Sequence, residues 1–167
     1  MLQALQITTL MLVAAAWAFA LAHAAEMPGK MRLDRNAYLA VQQIYYPGFT
    51  LGGVTEPLAI VALALLLAVA PAGVASAWVA VALVATVATQ LVYWLVTHPV
   101  NRRWVSQQRS AALQMGKAGS AFFGTGKAEP PGDWKRLRDR WERSHVARAA
   151  LMTGALFALA VALTGAG

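Results

Sequence analysis

The chain reads as an all-α polytopic membrane protein, a four-transmembrane-helix up-and-down bundle with a short interfacial helix in its first loop. Three observations predict this. Of 167 residues, 59% are hydrophobic and 13% charged, with a mean hydropathy of +0.52, whereas a soluble domain is about one quarter charged. All charges fall in two windows, Glu26 to Glu56 and Arg102 to Arg148, which leaves apolar stretches at 1–25, 57–101 and 149–167. The middle stretch carries the break Pro71-Ala72-Gly73 and is long enough for two crossings of about 20 residues each. The absence of cysteine excludes disulfides, thiolate metal sites and cysteine nucleophiles.

The spans follow in order at about 2–25, 52–71, 74–98 and 145–165, in one transmembrane domain covering 1–167. Ala22-His23-Ala24 before Ala25-Glu26 imitates a signal-peptidase site. No basic residue precedes it and the apolar run is about twice the usual length, so the segment is expected to stay as the first span. Small residues every fourth position, Ala14, Ala18 and Ala22 on the first helix and Gly154, Ala158 and Ala162 on the fourth, are candidate packing rows, since lipid gives no hydrophobic drive for helices to associate. Asp34 can cap a helix over Arg35 to Tyr45, ended by Pro47-Gly48, whose Tyr38, Val41, Ile44 and Tyr45 share the face expected to lie along the interface. The uncharged run Pro57 to Ala70 is 14 residues, about 21 Å of helix. The second span must therefore begin near Gly52, which draws Glu56 either below the headgroups or to the interface beside Pro57.

In the second loop, Gly116 to Gly132 is rich in Gly and Pro and reads as irregular. Residues 119–127 imitate a phosphate loop, but Thr125 stands where the motif needs lysine and no strand precedes it. Beyond Pro131, Asp133 can cap a helix whose Trp134, Leu137 and Trp141 keep helical spacing and run into the fourth span.

A tight hairpin at Pro71 to Gly73 puts both charged loops, 26–51 and 99–144, on one side and both termini on the other. The first charged window is neutral; the second has eleven basic and four acidic residues and supplies the whole net charge of +7. The positive-inside bias places the loops in the cytoplasm and the termini in the periplasm of a bacterial inner membrane. Anionic headgroups suffice as partners for the basic loop, so nucleic acid is not required.

This connectivity brings three histidines to one depth: His23 closes the first span, His98 closes the third, and His145 opens the fourth. Glu26 and Glu56 are close by, and Arg148 lies one turn from His145. Thr86, Gln90, Tyr93, Thr97 and Asn101, spaced by four, three, four and four, form a polar stripe expected to face the bundle interior. Three chemistries fit. His145 or Glu56 can take a proton from a weakly acidic substrate while Arg148 and Asn101 hold the anion, with Trp141, Tyr93, Gln90 and Tyr45 against a hydrophobic small molecule. His23, His98 and His145 with a carboxylate suit zinc, iron or copper. Two histidines suffice for haem. Any one histidine at this depth is ordinary, since interfacial His, Trp and Tyr are common; the set is the signal. The rival class is a non-enzymatic membrane subunit that binds haem, a metal or a larger complex through Arg102 to Arg143, and homo-oligomerisation stays open.

Two short motifs carry a resemblance: Thr97-His98-Pro99-Val100-Asn101, like a Pro-x-Asn turn, and Trp141 to Arg148, read as W-x-x-x-H-x-x-R. With them the sequence resembles the anthrone-oxygenase-like family of small four-helix membrane proteins, many of whose bacterial members are a domain of unknown function. The run His23-Ala-Ala-Glu-Met-Pro-Gly-Lys30 and the turn Tyr45-Tyr46-Pro47-Gly48 look like features of a bacterial subgroup. The resemblance implies a membrane-bound oxygenase, cofactor-independent or metal-dependent, that oxidises an electron-rich polycyclic phenol with dioxygen. By matching position it assigns Asn101, Trp141, His145 and Arg148 to the site, and His23 and His98 only to the subgroup pattern.

Overall fold

The computed structural model describes residues 1–45, 48–105 and 134–165, all of the regular structure among them being helical. We number the helices α1 (Leu2–Lys30), α2 (Arg35–Val41), α3 (Gly48–Gly53), α4 (Thr55–Val69), α5 (Val74–Val92), α6 (His98–Val105) and α7 (Trp134–Thr164). Tyr46 and Pro47, the stretch Gly116 to Gly132 with its phosphate-loop imitation, and the Asp133 cap lie outside the described residues. Among the described residues, three helices are long and apolar enough to cross a membrane: Leu2–Lys30, Val74–Arg103 and Trp134–Thr164. The chain is therefore a helical membrane protein. Packing of α1 on α4 and α7, and of α5 on α4 and α7, closes a four-membered ring.

The expected second span is not one helix of 52–71. The chain breaks at Val54 and α4 has 15 residues, about 22 Å against a hydrocarbon core of about 30 Å. Pro57 has no N–H for the Gly53 carbonyl, and the Thr55 hydroxyl instead donates to the Gly52 carbonyl at 2.5 Å, so helix restarts at Thr55 with Pro57 in its tolerated first turn. The hairpin after α4 turns at Gly73, whose φ of +156° suits glycine alone. Ser76 Oγ accepts from the Gly73 N–H at 3.0 Å and donates back to its carbonyl at 2.8 Å, which starts α5.

Both other boundary corrections have one cause: charge and proline mark the end of an apolar run, not the end of a helix. α1 passes residue 25 and runs through Pro28 to Lys30. The third span does not stop at His98. A π-helical turn over Tyr93–Thr97 leads directly into α6, so Pro99-Val100-Asn101 is helical rather than a turn. The wider turn accommodates the Pro99 ring, and Arg140 Nη2 donates to the Leu95 carbonyl, which Pro99 cannot reach with an N–H, at 3.4 Å. Extension of the fourth helix back to Trp134, expected from Trp134, Leu137 and Trp141, is present as one 31-residue helix.

The interior is built of small residues around a few large ones: Val13, Ala16 and Ala20 from α1, Leu63 and Leu66 from α4, Ala82 from α5, and Met152, Ala155 and Leu159 from α7. The buried rows differ from the expected ones. Ala18 faces outward and Gly154 is exposed, while Ala158 and Ala162 are buried as expected. Alanine surrounds these helices on every side, so repeats of small residues do not choose a face. Trp17 Nε1 donates to Thr153 Oγ1 at 3.0 Å and ties α1 to α7.

Phe19 leaves no room over α3: a Cβ at Gly52 would lie 2.6 Å from its ring. Gly52→Ala is expected to cost about 1–3 kcal/mol, measured by unfolding in detergent micelles, and Phe19→Ala in the same chain should remove the overpacking part of that cost. No penalty in the single variant would show that α3 does not approach α1 this closely.

Candidate polar site at the charged end of the bundle

α7 sets the site because Arg138, Trp141, Glu142, His145 and Arg148 recur at helical spacing and are all buried. Trp141, Glu142, His145 and Arg148 each meet a residue from another segment, and together they gather the charged ends of the spans at one end of the bundle. Two ion pairs frame it. The Arg148 guanidinium donates to the Glu56 carboxylate and stacks 5.3 Å from the Tyr93 ring. On the other side, Lys30 Nζ stands 3.1 Å from Glu142 Oε2, off the line of a hydrogen bond, and 3.8 Å from Glu26. Lys30 Nζ also donates to the His23 carbonyl at 3.4 Å and lies 4.7 Å from the Trp141 ring.

α2 closes this end. Asp34 Oδ1 accepts from the Ala37 N–H at 2.9 Å, so the expected cap is present, although α2 ends at Val41 and a 3₁₀ turn carries the chain to Tyr45. Tyr38 is wholly buried and donates to Glu142 Oε1 at 2.7 Å, and the Tyr45 hydroxyl donates to Glu26. Burial first, then the Glu142 carboxylate, pushes the Tyr38 phenol far above its ordinary pKa. Burial and the bond to Glu26 do the same for Tyr45. Both hydroxyls therefore remain neutral donors at any physiological pH.

Between the ion pairs, the His23 and His145 rings meet edge-on with centroids 4.4 Å apart. Phe49 and Tyr45 pack on His23 at 4.2 and 4.6 Å, and Trp141 on His145 at 3.9 Å. His145 Nδ1 is 3.0 Å from the Trp141 carbonyl. A carbonyl only accepts, so Nδ1 carries the proton and Nε2 is the basic nitrogen. Ser144 Oγ donates to the same carbonyl at 2.6 Å, so Thr97 is the donor across the 2.9 Å contact with Ser144.

The structure thus brings together most of the expected residues. Trp141 Nε1 donates to Asn101 Oδ1 at 2.8 Å, and Asn101 is also hydrogen-bonded to Tyr93. The stripe faces inward as expected, with Thr86, Tyr93 and Thr97 buried and Gln90 partly so, although Thr86 spends its hydroxyl on the Ala82 carbonyl. The three-imidazole metal site is corrected. His98 packs on Trp94 and Tyr93, at 4.9 and 6.0 Å, rather than on the other two rings, and no group of three or more His, Asp or Glu among the described residues is placed to hold a metal. Rings 4.4 Å apart also leave no room for a haem iron between His23 and His145.

Lys30, Tyr38, Glu142 and Ser144 were not among the expected site residues. Glu142 was legible: it shares a helix face with His145 and Arg138, an acid on the same stripe as the site. Lys30 and Tyr38 were not, because nothing local ties their segments to α7. No family model, curated protein or solved structure matches the chain.

Proposed function

We propose that the chain is a four-span protein of a bacterial inner membrane, with cytoplasmic charged loops and periplasmic termini, that binds a hydrophobic phenol or quinol at this polar end. There it acts as an oxygenase of the anthrone-oxygenase-like kind, using dioxygen. One observation carries the reading. His23 Nδ1 and Arg148 Nε are buried and have no hydrogen-bond partner among the described residues. Buried polar atoms are nearly always satisfied, and two orphaned nitrogens flanking a histidine pair are the complement of a hydroxyl or oxyanion.

In this reading the phenol gives its proton to His145 Nε2, the ring nitrogen left basic by the Trp141 carbonyl, with Glu56 as the alternative base. The phenolate oxygen then lies against Arg148, with the amide of Asn101 as a second donor, because Trp141 occupies the Asn101 carbonyl oxygen. Deprotonation raises the electron density of the ring, which favours its oxidation by dioxygen. The apolar walls come from Trp141, Tyr45 and Tyr93, and Gln90 adds a further buried oxygen without a partner.

Oxygen uptake by the purified protein in lipid nanodiscs, supplied with anthrones, naphthols and quinols, tests this. His145→Ala is expected to slow uptake by roughly 10²–10⁴-fold while keeping most of the wild-type unfolding temperature. An unchanged rate in that variant, or no uptake by the wild type with any of these compounds, would end the enzyme reading.

A further inference from the structure

The outer side of the contact between α5 and α7 carries a groove of about 620 Å³. On α7 its wall is Arg136, Arg140, Arg143 and Ala147, and on the other side Val92 and Val96. The α7 residues follow at i, i+4, i+7 and i+11, one stripe about 16 Å long that changes from basic to apolar toward the apolar span. The groove's carboxylate, Asp139, is taken by Arg138, whose Nη2 and Nε lie 2.8 and 3.0 Å from it. Arg140 braces the two walls through the Leu95 carbonyl, and the neighbouring Leu91, Trp94 and Leu95 side chains face outward.

We infer that this groove holds one anionic phospholipid of the surrounding bilayer, its phosphate against the three guanidiniums and an acyl chain over Val92, Val96 and Ala147. Charge complementarity selects an anion, and guanidiniums grip phosphate through several donors at once. The polarity gradient selects an amphiphile: an acidic protein segment would match the arginines and leave the apolar half unfilled. Basic pockets between spans at the charged side of a bilayer bind such headgroups. The inference rests on the chain being a membrane protein and not on the oxidation chemistry, so either can fail alone.

The test uses the purified full chain in dodecylmaltoside micelles, with phosphatidylglycerol, phosphatidylcholine or inorganic phosphate added. Native mass spectrometry reads the retained lipid and thermal unfolding reads the stabilisation. Phosphatidylglycerol should stay bound at one molecule per chain and raise the unfolding temperature, with neither of the other two doing so. R136Q/R140Q/R143Q should weaken retention by about fivefold for each arginine removed. R32Q/R102Q/K135Q, which loses the same charge outside the groove, should retain it. Ala147→Trp fills the apolar end on an exposed position, keeps every charge, and should also lower retention. Equal losses in both triple variants, equal binding of phosphatidylcholine, stabilisation by phosphate alone, or full retention in Ala147→Trp would each overturn the assignment.

Discussion

Replacing Arg148 with methionine is expected to destabilise the folded protein by about 3–5 kcal/mol, the range for removing one partner of a buried ion pair. Glu56 is 4% exposed and its counterion comes from α7, so the variant strands a buried carboxylate near Tyr93 with no cation beside it among the described residues. Glu56→Gln removes that charge, and R148M/E56Q should recover most of the loss because two neutral side chains of similar size need no counterion. Unfolding by a denaturing detergent, run as a double-mutant cycle, isolates the coupling. A cost below about 1 kcal/mol for Arg148→Met would place the pair in water, where ion pairs contribute that little, and would contradict the buried pairing of Glu56 at the start of α4 with Arg148 on α7.

Glu142→Leu should have the next largest effect. Glu142 is fully buried and serves two partners, Lys30 and Tyr38. Its loss leaves the Lys30 ammonium with Glu26 at 3.8 Å, on a side chain 40% exposed, so the expected cost is about 2–4 kcal/mol, just under that of a wholly stranded charge. Tyr38→Phe removes one hydrogen bond to a charged group and should cost about 1.5–3 kcal/mol, with Glu142 keeping Lys30. Because Tyr38 carries α2 onto α7, Glu142→Leu should also speed proteolysis within residues 31–45. If cleavage there is unchanged and stability falls by less than that of Tyr38→Phe, Glu142 does not fasten this end of the bundle.

Much of the polar end was visible in the residue pattern. Thr86, Tyr93 and Thr97 repeat at helical spacing and do face inward, and His23 and His145 sit at matching ends of their spans and do meet. The failures share a physical origin. Apolar and charged residues report where a chain prefers lipid or water, but a helix ends only where its backbone bonds end. Hence the first and third spans were ended at 25 and 98, although α1 continues through Pro28 in its last turn and a widened turn lets the helix continue past Pro99. The opposite error occurred at Val54, where Thr55 and Pro57 together break a run that hydropathy reads as continuous.

By itself the sequence determined that this is a helical membrane protein with its ionisable groups confined to one end, because apolar length and charge position are properties of the chain before it folds. Which of those groups face each other was decided by rotation of each helix about its axis. That rotation is set by contacts between residues far apart in the chain: Trp17 against Thr153, Phe19 over Gly52, Tyr38 on Glu142. It left His98 beside Trp94 rather than His23, and it brought Lys30 and Glu142, distant in sequence, into one buried pair.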